Sequence, residues 1–162
     1  MSPRLIAGIL AGLALSVSAS AQRDLSQVEI RPTRLTDRVY MLQGQGGNIG
    51  LSVGADGVLI IDDQFAPLAP KIMAAIGELG GSDPVFVLNT HFHGDHTGGN
   101  AVFGERGVIV AHENVRLRLL ERRVEDRPLP HSAFPEITYR TGLSIHFNED
   151  ELRIVHFPNA HT

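Results

Sequence analysis

Apolar residues in this chain fall into short runs with β-type alternation, separated by glycine-rich turns, and this pattern changes to helical spacing only in places. Residues 38–42 and 49–53 read as strands joined through Gly44-Gln45-Gly46-Gly47. A third strand is expected over 57–61, because Ala55-Asp56-Gly57 sets an Asp-Gly hairpin signal between apolar runs. The opening is therefore a β-meander. Residues 68–79 then carry Ile72, Met73, Ile76 and Leu79 at helical spacing and stop at Gly80-Gly81, which predicts an amphipathic helix. Residues 85–88, introduced by Pro84, form a short apolar run suited to a buried strand. A strand over 108–110, a charged helix over 113–124 and a hairpin pairing 143–147 with 152–157 across 148–150 complete the reading. The order is β-rich with interleaved helices, an α/β sandwich without repeats or interdomain linkers.

The buried strand at 85–88 runs into His91-Phe92-His93-Gly94-Asp95-His96, a density of metal-ligand side chains that neither a core nor an ordinary loop requires. In an extended segment His91 and His93 point the same way while Phe92 turns back toward the core. Gly94 then allows a sharp bend, after which Asp95 and His96 can face the same pocket, with Gly98 and Gly99 letting the backbone pass close by. Two histidines for one ion and an Asp-His pair for a second is a reasonable division. Imidazole and carboxylate together suit zinc, but also iron, manganese or nickel, so ligand type leaves the metal open. Structural zinc sites are usually closed by four ligands, often cysteines; a set without cysteine points instead to an open, water-bearing position.

The run His-Phe-His-Gly-Asp-His-Thr-Gly-Gly-Asn at 91–100, preceded by Asn89-Thr90, resembles the H-x-H-x-D-H signature of the metallo-β-lactamase-fold hydrolases. Two weaker features agree with the resemblance. The strand at 58–61 ends in Asp62-Asp63, like an early strand of the family that ends in an acidic residue near the site, and Phe157-Pro-Asn-Ala-His161-Thr162 looks like the segment carrying its next histidine. The resemblance implies an αββα sandwich, of which this chain would be the N-terminal half plus the start of the second. It also implies that His91, His93 and His161 bind a first metal, that Asp95 and His96 bind a second, and that Asp62 supports them from behind. The histidine after Asp95 favours the widespread hydrolase pattern, which glyoxalase II-like thioesterases and persulfide dioxygenases share. The family supplies a bridging Asp and another His beyond the His161 position, so the sequence as given is expected to be C-terminally incomplete.

Two metals about 3.5–4 Å apart can share a water and lower its pKa toward neutrality. The expected activity is thus attack of a metal-activated hydroxide on an amide, ester, lactone or thioester carbonyl, a β-lactam being among the candidates, with Asp95 holding the second ion and orienting the hydroxide. Zinc, as two ions in the complete protein, is the expected cofactor, and iron and manganese stay open. The chain has no cysteine to supply a thiol nucleophile. Two other readings compete: a mononuclear iron dioxygenase of the same fold, and a non-catalytic metal-binding fragment.

The remaining histidines have blander readings. His112, between a strand and a helix, suits capping or a buried hydrogen bond; His131 suits a solvated loop; His146 and His156 suit the final hairpin. Gly44-Gln45-Gly46-Gly47 lacks the following helix and lysine of a phosphate-binding loop and reads as a hairpin loop near the mouth of the site.

Composition narrows the context. With 162 residues, 43% apolar and 20% charged, the chain can build one core, and a net charge of −4 without a basic run argues against a nucleic-acid partner; the small-molecule substrate is what the resemblance implies. Arg4, the apolar stretch 5–17 and Ala19-Ser20-Ala21 read as a signal peptide over 1–21, leaving a metallo-β-lactamase-like domain over 22–162. That stretch is too short for stable membrane insertion, and the absence of cysteine excludes a lipobox and disulfides alike. The expected location is exported, periplasmic if bacterial and secreted otherwise. A half-sandwich leaves sheet surface uncovered, so 22–162 alone is expected to associate or aggregate.

Overall fold

The computed structural model describes residues 24–124 and 127–161, so the expected signal peptide lies outside the described residues. The fold is mixed α/β and is organised by one seven-stranded sheet. Strands β1 (Arg31–Arg34), β2 (Val39–Gln43), β3 (Ile49–Gly54) and β4 (Gly57–Ile61) form the antiparallel meander. Helix α1 (Ala69–Glu78) then crosses over to β5 (Pro84–Asn89), parallel to β4. The single turns α2 (Gly94–Thr97) and α3 (Asn100–Phe103) lead to β6 (Val108–His112), parallel to β5. Helix α4 (Glu113–Glu121) follows. It ends three residues before the expected position 124, because Arg122 turns to extended backbone and the chain enters β7 (Arg123–Val124), which pairs with β8 (Arg127–Pro128). Strand β9 (Ile137–Tyr139) adds to β6, and β10 (Gly142–Phe147) pairs with β11 (Asp150–Val155) as a separate hairpin.

Alternation in the central strands divides the sheet between two layers. Val58, Ile60, Val87 and Ile109 face one side, where Leu68, Ile72, Ile76 and Phe103 complete a core. Leu59, Leu88 and Val110 face the other, against Phe147 and the inner residues of the β10–β11 hairpin. One-residue steps thus assign successive side chains to different cores. The hairpin turn is tighter than the sequence pattern suggested: Phe147 pairs with Asp150, leaving Asn148 and Glu149 as the two loop residues, with φ of 54° and 65°. Two successive positive φ values match the twist of a two-residue hairpin. Among the described residues, no helix is long and apolar enough to cross a membrane.

Candidate metal centre

The candidate site forms where β4, β5 and β6 end side by side, the usual place for a ligand site in a parallel sheet. Beyond β4 the chain supplies Asp62, Asp63 and Gln64, all buried, and beyond β5 it supplies Thr90 to His96. The alternating placement of the histidine run holds: Phe92 packs against Ala111, Val115 and Leu119. Gly94 is not a left-handed bend, since it opens α2, with His93 in extended backbone just before it. Its small size matters instead for the Arg122 guanidinium, which would lie 3.0 Å from a Cβ at that position. Gly98 meets backbone more closely, a Cβ there falling 2.4 Å from the Gly94 carbonyl oxygen, as the expected close passage required.

Asp62 organises the ring nitrogens. Its Oδ1 accepts the Thr90 amide at 2.8 Å, and its Oδ2 accepts the Thr90 hydroxyl at 2.8 Å and faces His96 Nδ1 at 2.7 Å. Because a carboxylate only accepts, His96 Nδ1 is the donor in this contact, and its Nε2 is turned toward Asp95. The Thr90 hydroxyl spends its proton on Asp62, so at 3.0 Å it accepts from His91 Nδ1 and leaves Nε2 of that ring to face the site. One carboxylate therefore orients two rings, the arrangement that positions histidine ligands in metal sites. Asp62 adopts φ of 63°, a left-handed conformation that aspartate tolerates.

His91, His93 and His161 come together, offering one nitrogen each within 4.8 Å of one another. His91 Nε2 lies 3.2 Å from His93 Nδ1, a separation that a shared proton or a cation must bridge. Partial burial lowers the His91 pKa first, and the neighbouring His96 lowers it further against the opposing charge of Asp62, so the ring is held neutral with its lone pair available. The donor set fits a divalent cation: three imidazoles, one of them oriented by Asp62 through Thr90, converge at one point. Asp95 and His96 lie beside it, with Asp95 Oδ2 3.5 Å from His96 Nε2.

A sequence model of the metallo-beta-lactamase superfamily matches residues 43–159. The chain belongs to this superfamily. Solved structures with the same fold include the subclass B3 metallo-beta-lactamase of Bradyrhizobium japonicum, at 23% identity and a TM-score of 0.67 over 80% of this chain and 53% of that one. The class B3 di-zinc metallo-beta-lactamase from an Alaskan soil metagenome is 18% identical, with a TM-score of 0.71 over 86% of this chain and 56% of that one. A beta-lactamase from Chitinophaga pinensis is 17% identical, with a TM-score of 0.72 over 88% of this chain and 57% of that one. The chain spans little more than half the length of these structures. No curated protein matches it by sequence.

Of the other histidines, His112, His131 and His146 take the roles their positions suggested, whereas His156 lies past the end of β11 and not in the hairpin. His112 caps α4 by accepting the Asn114 amide on Nδ1 at 3.1 Å, and its Nε2 donates to the Arg140 carbonyl at 2.8 Å. Both nitrogens are used, so His112 is structural. His156 stacks on it, with ring centroids 3.8 Å apart. His131 is exposed, and exposed His146 sits opposite Glu151 in the hairpin.

Several supporting residues lie outside the motif. Asn89 and Asn100 exchange amide hydrogen bonds at 3.0 Å, and Asn89 also reaches the His96 carbonyl, which pins α2 and α3 to β5. Fully buried Asp63 accepts the Gly99 amide on Oδ1 while Oδ2 has no partner. Burial, more than the nearby Asp62 charge, raises its pKa well above the ordinary carboxylate range against the pull of the Gly99 bond. Asn89 and Thr90 flank the motif and were legible as part of it; Gln64 carried no such signal.

Proposed function

We propose that this chain carries the metal-binding part of an exported, metal-dependent hydrolase that acts on an amide, ester, lactone or thioester, with a β-lactam among the candidate substrates. The convergence of His91, His93 and His161 is the observation that carries the reading. In it, these three hold a zinc ion, and Asp95 and His96 contribute to a second. Bound divalent cations would supply an activated water and polarise a substrate carbonyl. The protein's own part is to orient the His91 and His96 rings through Asp62 and Thr90, and to aim Asp95 at the same pocket. An apolar groove of about 580 Å³, lined by Ile61, Leu88, Tyr139 and Ile154 and opening on His91 and His161, offers room for a small substrate.

The test is metal analysis and turnover of the full-length native protein on a panel of esters, thioesters, lactones and β-lactams. Zinc at up to two equivalents with hydrolysis of one class is the expected result, and His93→Ala should lose both metal and turnover. Iron with oxygen consumption would replace the hydrolase by the dioxygenase reading. Metal uptake without turnover would leave a binding module. Export predicts a mature N-terminus at Gln22, which N-terminal sequencing reads directly.

A further inference from the structure

We infer that Gln64 and the Gly44-Gln45-Gly46-Gly47 loop together form a positioning device for the Asp95–His96 side of the centre. A glutamine with no exposed surface must place both ends of its amide on partners. Gln64 does so entirely on this loop: Nε2 donates to the Gly47 carbonyl, and Oε1 accepts the Gln45 amide at 3.2 Å. The loop is therefore clamped at two backbone groups, the Gln45 amide and the Gly47 carbonyl, rather than hanging free between β2 and β3.

The clamp presses the loop onto the site. A Cβ at Gly46, where φ is 87°, would lie 2.7 Å from Asp95 Cβ, and one at Gly47 would lie 2.6 Å from His96 Cε1. Backbone thus packs directly on both side chains, at distances where any larger residue would have to displace them. Gly44 is small for the clamp itself, since a Cβ there would lie 2.4 Å from Gln64 Oε1. The three glycines have three separate neighbours: the clamp, the carboxylate and the imidazole.

His96 is consequently held from two sides. Asp62 fixes Nδ1 at 2.7 Å, and Gly47 limits the swing of the ring. Asp62 and Gln64 are the two ends of one short segment after β4, and both are left-handed, with φ of 63° and 54°. Such a conformation is uncommon for glutamine, so the surrounding structure must impose it. That segment places one residue to orient the imidazole and another to hold the wall against which Asp95 and His96 rest. Gln64 touches no reacting atom and acts through the loop, as a positioning residue for the second cation.

This inference rests on the metal-site reading above, and one titration separates the two. The full-length native protein, freed of metal, is titrated with cobalt(II) against a competing chelator while its visible absorption is followed. Variants Gln64→Met, which fills the volume without the amide, and Gly47→Ala, which pushes on His96 from the loop side, are titrated alongside. The metal-free thermal transition of each shows that it folds. In the expected result the first equivalent binds as in the wild type, while the second binds about 10- to 100-fold more weakly with an altered spectrum, the usual scale for loss of a supporting partner. Two equivalents bound with wild-type affinity and spectrum in both variants would overturn the inference and leave the metal centre standing. A wild type that takes up no cobalt would overturn the metal centre itself, and a wild type that saturates at one equivalent would overturn the inference alone.

Discussion

The two faces of the central sheet are covered to different degrees. On the helix side, Leu42, Ile49, Val58, Ile60, Ile72, Ile76, Val87, Phe103 and Ile109 have no exposed surface at all. On the hairpin side, Leu59, Leu88, Val110 and Phe147 are buried, but Ile61, Phe86, Leu143, Ile145, Leu152 and Ile154 remain only partly covered. The site straddles this difference. The run from His91 to His96 is anchored to β5 and to α3, whose Phe103 sits in the sealed core, whereas His161 follows β11 and is itself exposed. The geometry of the three-histidine cluster thus depends on how well the hairpin docks on the less sealed face.

Large-to-small substitutions break this comparison most directly. Phe103→Ala should lose about 3–5 kcal/mol, since the sealed core cannot collapse around the cavity. Leu152→Ala should lose about 1–2 kcal/mol, because part of its side chain already meets water. Urea denaturation of the two variants measures both, and equal losses would mean that the faces are packed alike in solution.

The next largest effect concerns the tie between hairpin and sheet. Asn148 is 2% exposed and spans the two layers: its Nδ2 donates to Ser52 Oγ at 3.0 Å and to the Gly57 carbonyl at 3.1 Å, and its Oδ1 accepts the Asp56 amide at 2.9 Å. Removing it strands the buried Ser52 hydroxyl and two part-buried backbone groups, at a cost of about 1–3 kcal/mol. Asn148→Gly is the informative change, because glycine suits the φ of 54° and isolates the loss of the amide. Beyond the stability loss, it should weaken the first metal equivalent through His161 and spare the second. A variant that loses stability with the first equivalent untouched would show that His161 does not follow the hairpin.

The same asymmetry explains what could be read from the chain alone. Strands β3 to β6 are buried on both faces or alternate between two cores, so their apolar runs announce them. Strand β1 is exposed at all four positions, Arg31 to Arg34, and joins the sheet through backbone pairing at an edge, where no apolar signal is needed. Strand β9 is short and mostly exposed, and the sequence pattern passed over it for the same reason. In the site, the ligand-type residues stand together in sequence and were legible as a group. The partners that aim them are brought in by the parallel strand pairing: Asp62 meets His96 and Thr90 only because β4 and β5 end in register. Gln64 had no sequence signal, because its function depends on a loop across the meander.

The smallest effect is expected at the second tie of the hairpin, the ion pair between Arg38, just before β2, and Glu149 in the hairpin turn. Its side chains are 41% and 75% exposed, so water competes for both charges and the pair should contribute about 0.2–1 kcal/mol. A double-mutant cycle of Arg38→Gln and Glu149→Gln isolates the coupling from any separate role of either residue. The coupling should shrink as salt rises from low concentration to about 0.5 M, since exposed charges are screened over a few ångströms there. A coupling that exceeded the Asn148 loss and ignored salt would reverse the assignment: the hairpin would be held by its surface charges, and the buried amide would be incidental to docking.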